Sequence, residues 1–142
     1  MQKTLKLYQS LAHLPLGKII FSKTLCFLTP YFSSIKPLVE ELGPGRCVVL
    51  MKKRRAVTNH LNTVHAIAMC NMAELAGGLM TEVTLTQGKR WIPSGMTVKY
   101  KKKAKTNLTA IADGQGLDWH SEGEVEVPVR ITDVNNELVF SA

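Results

Sequence analysis

The longest apolar segment of the chain with a helical pattern covers residues 59–80. From Thr63 onwards almost every residue in it is Ala, Val, Ile, Leu, Met, Cys or Gly, but it carries His65 in the first turn and Glu74 in the middle. A helix that is apolar on all sides is normally wrapped by other structure. A carboxylate in such a helix is costly unless it is paired. The pattern therefore predicts a buried central helix in which Glu74 has a specific purpose.

Two shorter helices are predicted ahead of this segment. Apolar residues at helical spacing mark residues 4–14, and a second helical segment covers residues 18–28 and stops at Pro30. We expect residues 1–36 to form a helical extension that packs as a lid on a domain made of residues 37–142. Contact of the extension with a membrane is the alternative.

Several of the remaining segments alternate between apolar and polar positions, as half-buried strands do, and residues 47–51 form a continuous apolar run typical of a buried strand. The predicted strands are residues 38–42, 46–55, 96–101, 107–112, 125–132 and 138–140. Pro128 cannot donate to a ladder, which suggests an edge or a bulge at that point. One apolar helix between these strands is best buried by an antiparallel sheet that curves around it, so the predicted class is α+β.

Length and charge narrow the function. A chain of 142 residues with 45% hydrophobic and 20% charged residues is predicted to be one globular domain. Residues 1–112 hold seventeen Lys and Arg against four acids, whereas residues 113–142 hold one Arg against seven acids. This asymmetry favours an anionic partner: nucleic acid, a membrane surface or a phosphorylated small molecule. Only Trp91 and Tyr100 are interleaved with the basic residues, which disfavours nucleic acid.

The cysteines and the start of the chain bear on its location. Cys26, Cys47 and Cys70 are odd in number and widely spaced, which predicts buried thiols in a reducing compartment and no metal site. No run approaches the ~18 apolar residues that a membrane-spanning helix needs. Residues 1–39 are free of acids, but they contain five Lys and no Arg and lack a continuous apolar core, unlike a targeting peptide. We expect a cytoplasmic protein.

The central segment resembles the hotdog-fold thioesterase superfamily, in particular acyl-CoA thioesterases of the phenylacetate-pathway type and related uncharacterised thioesterase-like domains. Those proteins carry an Asn in the loop before the helix, a His-Gly at the helix start, and an Asp or Glu nine residues after the His. Here Asn59, His65-Ala66 and Glu74 have the same spacing, with fifteen residues from Asn to acid and nine from His to acid. The order of elements extends the resemblance over most of residues 37–142. The sequence departs from the pattern at Ala66 and Ile67, where the family usually has glycines, and we expect both side chains to narrow the acyl slot.

The resemblance implies a hotdog fold, in which a curved antiparallel sheet wraps one long helix. It also implies an enzyme that hydrolyses acyl-CoA or related acyl thioesters without a cofactor. A non-catalytic module that binds acyl thioesters or lipids is the alternative. In these thioesterases a Ser or Thr after the helix often assists the acid; Ser94 is the best candidate by position, and Thr97 is next.

The residues themselves can supply this chemistry. Thioester hydrolysis needs donors for the developing oxyanion and a carboxylate to attack or to activate water. Ala66 lies in the first helical turn, where backbone N–H groups are unpaired, and the side chain of Asn59 can hold the water or the carbonyl. Glu74 is then the base or nucleophile. The alternatives are that Asn59 shapes its loop, that His65 bonds only the preceding loop, and that Glu74 is satisfied inside the fold.

Helix geometry adds a constraint on the assembly. Ala66 and Glu74 are eight residues apart, which is about 12 Å at roughly 1.5 Å per residue. His65 and Glu74 project from opposite faces at about 100° per residue. One chain therefore does not easily bring Glu74 and the Ala66 amide to one carbonyl carbon, whereas two antiparallel copies do. We expect a homodimer, or a dimer of dimers, with shared active sites.

Five lysines fall within residues 99–105. We expect four of them to clamp the phosphates of coenzyme A: Lys99, Lys101, Lys102 and Lys103. The alternative is a solvated strand end, since Lys also discourages pairing at sheet edges.

Overall fold

The structure is a computed structural model that describes residues 2–86 and 88–142. Its helices are α1 (Gln2–Ala12), α2 (Gly17–Leu28) and α3 (Ala66–Thr84), with short 3-10 segments at Pro30–Ile35 and Arg55–Val57. Its strands are β1 (Leu38–Gly43), β2 (Arg46–Met51), β3 (Lys99–Tyr100), β4 (Leu108–Asp113), β5 (Val129–Thr132) and β6 (Leu138–Ser141). The predicted order of helices and strands is confirmed.

The six strands form one antiparallel sheet in the order β1-β2-β4-β5-β6-β3. Helix α3 packs against β1, β2, β4 and β5, so the sheet curves around it. On β4 the side chains that face the helix are Leu108, Ala110 and Ala112, all buried, and the two alanines let the helix lie close to the sheet. Met72 and Leu75 fill the other side of this core. The fold is therefore α+β with a sheet wrapped around one long helix, as predicted.

Two predicted strands are shorter than their alternation suggests. Within residues 96–101 the strand β3 is limited to Lys99–Tyr100, which pair with β6 at the edge of the sheet, and the Lys101 N–H donates to the Val139 carbonyl at 2.8 Å. Of residues 125–132 only Val129–Thr132 form β5, which lies inside the sheet, so the predicted edge is wrong, and the register shift in its pairing with β6 falls between Ile131 and Thr132 and not at Pro128. Pro128 stands just before the first residue of β5, where its missing N–H removes no ladder bond and its carbonyl accepts from the Asp113 N–H at 3.2 Å.

The central helix differs from its prediction at both ends and along one face. It begins at Ala66, one residue after His65, and continues past Gly77 and Gly78 to Thr84. The prediction that it is covered on all sides is wrong for a single chain. Ile67 is 56% exposed and Glu74 is also exposed, because the sheet covers only the opposite side of the helix.

The N-terminal helices pack on β1. The Tyr8 hydroxyl donates to the Glu40 carbonyl at 2.7 Å, and the Ser22 hydroxyl accepts from the Val39 N–H at 2.8 Å. The rings of Tyr8 and Phe21 meet edge to face with centroids 5.1 Å apart, and both residues belong to the main core. The extension is thus joined to the sheet by core packing and by hydrogen bonds.

Two further expectations concern cysteines and membrane spans. All three cysteines are free thiols, but only Cys47 is buried, whereas Cys26 and Cys70 are partly exposed. The predicted burial therefore holds for one thiol of the three. Within residues 2–86 and 88–142, no helix has the length and apolar character needed to cross a bilayer.

Candidate active site

The loop before α3 is organised by Asn59. Its Oδ1 accepts from the backbone N–H groups of Leu61 (3.0 Å) and Thr63 (3.2 Å), and its Nδ2 donates to the Thr63 hydroxyl at 2.9 Å. Asparagine commonly closes turns in this way. The side-chain amide has two hydrogens, and the bond to Thr63 uses one of them. Asn59 therefore shapes the loop, which is the alternative considered for it from the sequence.

His65 is the N-cap of α3 and not part of its first turn. Its φ of −64° and ψ of 138° are extended, and its Nδ1 accepts from the Ile67 N–H at 3.0 Å. The His65 N–H donates to the Val57 carbonyl at 2.8 Å, which fixes the entry of the chain into the helix. Ala66 follows as the first helical residue, so its own N–H has no partner inside the helix. This amide and the positive end of the helix dipole form a site suited to negative charge.

An open groove of about 340 Å³ lies at this helix start. It is lined on one side by Asn59, Leu61, Thr63, Val64, Ala66 and Met69, and on the other by residues 100–104. The groove brings together five residues singled out in the sequence: Asn59, Ala66, Lys101, Lys102 and Lys103. His65, Glu74, Ser94 and Lys99 do not line it.

The lysines differ in their surroundings. Lys102 forms an ion pair with Glu137 at 2.9 Å, and both side chains are more than half exposed, so the pair contributes little to stability. Lys101 and Lys103 are exposed at the rim of the groove. Lys99 lies on the edge strand β3, which also fits the alternative of an edge protected from pairing.

Tyr100 and Cys70 are the residues that sequence reasoning missed. The Tyr100 hydroxyl lies 3.4 Å from the Cys70 sulfur, and its ring packs on Phe140 at 5.7 Å between centroids. The hydrogen bond with Cys70 raises the pKa of Tyr100 above its ordinary value. The contact ties the lysine-rich segment to α3. An aromatic residue standing alone among lysines was the one signal for it in the sequence.

Glu74 is exposed on the uncovered face of α3. Ile67, seven residues before Glu74, lies on the same side of the helix and is exposed as well. Across residues 2–86 and 88–142, no hydrogen bond or ion pair reaches the Glu74 carboxylate. The nearby amide of Asn71 instead donates to the Ser34 hydroxyl at 3.0 Å. The carboxylate is therefore available to something outside the chain.

Ser94 lies in the exposed segment that follows α3. That segment is attached to the helix through Trp91, whose Nε1 donates to Glu82 Oε2 at 3.1 Å. A second cavity, of about 320 Å³, lies beside this indole and is lined by Glu82, Leu85, Lys89, Arg90 and Trp91. Ser94 lines neither cavity.

Comparisons with known proteins agree with this architecture. A structural-genomics protein, APC5556, superposes with a TM-score of 0.89 at 42% sequence identity, covering 98% of this chain and 92% of that protein. A Pseudomonas aeruginosa protein of unknown function, PA5026, described as a probable thioesterase, gives a TM-score of 0.73 at 21% identity, covering 90% and 91%. The E. coli PaaI protein from the phenylacetic acid degradation operon gives 0.64 at 15%, covering 89% and 95%.

These likenesses confirm the hotdog fold predicted from the motif. No curated protein matches the chain. The family described as "Domain of unknown function (DUF4442)" matches residues 17–142, which includes α2, the whole sheet and α3. The chain belongs to this DUF4442 family.

Proposed function

We propose that the protein is a thioesterase that hydrolyses acyl-CoA or a related acyl thioester. One observation carries the proposal: a groove at the start of α3 combines the Ala66 amide with a rim of lysines, and the same helix presents an unpartnered Glu74. The fold shared with proteins described as thioesterases supports it.

The groove suits the carbonyl and the phosphates of the substrate. The Ala66 N–H points out of the helix start, where it can donate to the oxygen of a thioester as negative charge develops on it. Lys101 and Lys103 at the rim can hold the phosphates of coenzyme A. The Asn59 loop lines the groove, and the second hydrogen of the Asn59 Nδ2 remains for a water or the carbonyl oxygen.

In the proposed reaction Glu74 acts as a general base. It accepts a proton from a water molecule, whose oxygen attacks the thioester carbon while the oxyanion is held by the Ala66 amide. Collapse of the intermediate breaks the carbon–sulfur bond, and the leaving thiolate takes up the proton from Glu74. The products are the carboxylic acid and free thiol. Direct attack by Glu74, through an anhydride that water then hydrolyses, gives the same products.

The proposal requires two subunits for each site. Glu74 does not line the groove of its own chain, and about 12 Å of helix axis separates it from Ala66. Two copies of α3 packed antiparallel across a two-fold axis would place Glu74 of one subunit near the helix start of the other. Ile67 and Glu74 are both exposed on α3, which leaves this side of the helix open to such packing.

Single-turnover hydrolysis of a panel of acyl-CoAs by the wild type and Glu74→Gln tests the proposal. We expect the rate to fall about 100-fold or more in the variant, because the base is lost. Glu122→Gln, which changes an exposed carboxylate in the segment between β4 and β5, is the matched control and should keep the wild-type rate. Full activity in Glu74→Gln would refute the proposed chemistry.

A non-catalytic acyl-thioester or lipid-binding module is the second candidate. It is favoured by the engagement of both polar atoms of the Asn59 side chain inside the loop, and by Ile67 where the resembled thioesterases have glycine. Tight binding of acyl-CoA by the wild type without any turnover across the panel would support this candidate instead.

A further inference from the structure

The outer face of α2 is apolar. Its inner face buries Gly17, Phe21 and Ser22 against the core, as a packed helix should. The opposite face is marked by Ile20, Lys23 and Phe27, at intervals of three and four, and Leu16 stands just before the helix as its N-cap residue. The relative exposures of Leu16, Ile20 and Phe27 are 70%, 49% and 85%. A helix that packs on a core normally turns polar residues outwards, so this face is exceptional.

The apolar surface continues beyond both ends of the helix. Leu14 precedes it and is 49% exposed, while Leu28 and Tyr31 follow and are each 70% exposed. We call this set, with the outer face of α2, the α2 surface. Single exposed apolar residues are ordinary, but a run of them on one element marks an interaction site.

The one charged side chain of the α2 surface, Lys23, is a cation. Residues 1–39 contain five Lys and no acid, and Lys23 lies in the middle of the exposed stripe. The first acid along the chain, Glu40, is already paired with Lys18. An occupant of this surface must therefore accept apolar side chains and carry negative charge.

We propose that the α2 surface binds the face of an anionic lipid bilayer. Helices that lie in the membrane interface combine large apolar side chains with lysines, and the two attractions add. Phe27, Leu28 and Tyr31 would enter the boundary between headgroups and acyl chains, while Lys23 would remain among the anionic headgroups. With twelve residues, α2 is about 18 Å long at ~1.5 Å per residue, so it would lie on a bilayer and not cross it.

A second copy of the chain fits the surface less well. A two-fold contact brings the same patch against itself, so the Lys23 side chains would approach each other without an acid within the patch to separate them. A folded protein partner would need pockets for Leu16, Phe27 and Tyr31, which project from the surface. A fluid bilayer accepts projecting side chains without preformed pockets. The inference is independent of whether the protein hydrolyses thioesters.

Co-sedimentation with vesicles tests the proposal. The full chain is incubated with vesicles of phosphatidylcholine alone and with vesicles containing about a third phosphatidylglycerol. We expect binding to the anionic vesicles, weakened by salt. Phe27→Ser should weaken it roughly tenfold and Lys23→Gln about fivefold. The matched controls are Val134→Ser, which removes an apolar side chain that is 62% exposed in the β5–β6 turn, and Lys105→Gln, which removes an exposed lysine elsewhere. Neither should change binding.

The depth to which residue 27 enters the bilayer can be measured with the variant Phe27→Trp. Brominated acyl chains should quench the fluorescence of this variant more than that of the wild type, which contains only Trp91 and Trp119. Absence of binding to anionic vesicles, or equal losses in Lys105→Gln and Lys23→Gln, would overturn the proposal. A change in oligomeric state in Phe27→Ser would assign the surface to contact between copies. Binding of an acidic carrier protein by the α2 surface in place of vesicles would assign it to a protein partner.

Discussion

The indole of Trp91 lies directly on Gly78 of the central helix. A Cβ at position 78 would be 3.0 Å from the Cη2 atom of the ring, whereas a Cβ at Gly77 would meet Val129 at 3.5 Å, an ordinary contact. This difference separates two neighbouring glycines that look equivalent in the sequence. The absence of a side chain at Gly78 lets the indole of Trp91 lie against the helix. At Gly77 a side chain would meet only an ordinary contact.

The two glycines therefore make a matched pair. We expect Gly77→Ala to raise the free energy of unfolding by up to about 1 kcal/mol, because alanine is the better helix former. Gly78→Ala should raise the free energy of unfolding by less, or lower it, because the new methyl group displaces Trp91. The displacement should also change the tryptophan fluorescence of the Gly78→Ala variant. Urea unfolding of both variants measures the difference. Equal increases in the free energy of unfolding would show that the Trp91 ring does not disfavour a side chain at position 78.

Ala66→Pro removes the proposed oxyanion donor with little disturbance. Proline is well accepted at the first position of a helix, and the φ of −64° and ψ of 138° at His65 suit a residue before proline. We expect the rate of thioester hydrolysis to fall about 100- to 1,000-fold, with the free energy of unfolding changed by less than ~1 kcal/mol. Ala66→Ser keeps the N–H and is the control. Unchanged kinetics in a folded Ala66→Pro would exclude this amide from the reaction.

Mixing two inactive variants tests whether sites are shared. If Glu74 of one subunit serves the Ala66 amide of the other, a mixed dimer of Glu74→Gln and Ala66→Pro has one intact site. After exchange of subunits at equal concentrations, we expect roughly a quarter of the wild-type activity to return. Sites built within one subunit would give no recovery, and that result would contradict the proposed geometry.

Lys101 and Lys103 at the groove should affect the binding of phosphate groups and not the chemical step. We expect Lys101→Gln and Lys103→Gln to raise KM for acyl-CoA several-fold at low salt and to leave kcat unchanged, with a smaller effect at high salt. A short acyl thioester without phosphates provides the comparison, and Lys105→Gln is the control for charge. An equal rise in KM for the phosphate-free substrate would contradict the clamp.

Cys47 should make stability fall at alkaline pH. Burial raises the pKa of its thiol to about 12, from an ordinary value of 9.0. Between these pH values the Cys47 thiol keeps its proton in the folded chain and loses it in the unfolded chain. The free energy of unfolding is therefore constant with respect to this group below pH 9 and declines above it. The slope is at most roughly 1.4 kcal/mol per pH unit. Urea unfolding at pH 8, 9 and 10 should show a flatter decline in Cys47→Ala than in the wild type. Parallel curves would exclude Cys47 as the cause.

The elements were predictable because each has a local signature. Helical spacing identified α1, α2 and α3, and alternation, one continuous apolar run and the turn signals identified the strands in the correct order. The lengths of β3 and β5 were not predictable, because alternation continues through Met96 and Val125 whether or not a neighbouring strand is there to pair. Pairing depends on the curvature of the sheet, which no local pattern records.

For the candidate site, the sequence predicted which residues belong to the loop, the helix start and the helix, but not how they are arranged in space. The spacing of Asn59, Ala66 and Glu74 placed one group at a helix start and one along the helix. The exposure of Glu74 was not predicted, because a helix with apolar residues on all sides has the same sequence pattern whether or not its own sheet covers every side. The contact between Cys70 and Tyr100 joins residues thirty positions apart, and only the fold brings them together.

The exposure of Glu74 also separates the folding of this protein from its chemistry. Since no contact within the described chain depends on the carboxylate, its replacement should leave the architecture intact. Selection for a stable fold therefore does not preserve an acid at this position. In a lineage that no longer needed hydrolysis, this residue could drift first and leave a binding protein of the same shape. Under the proposed function, the identity of residue 74 is a marker of catalysis, and it can be read in any relative whose sequence aligns through α3.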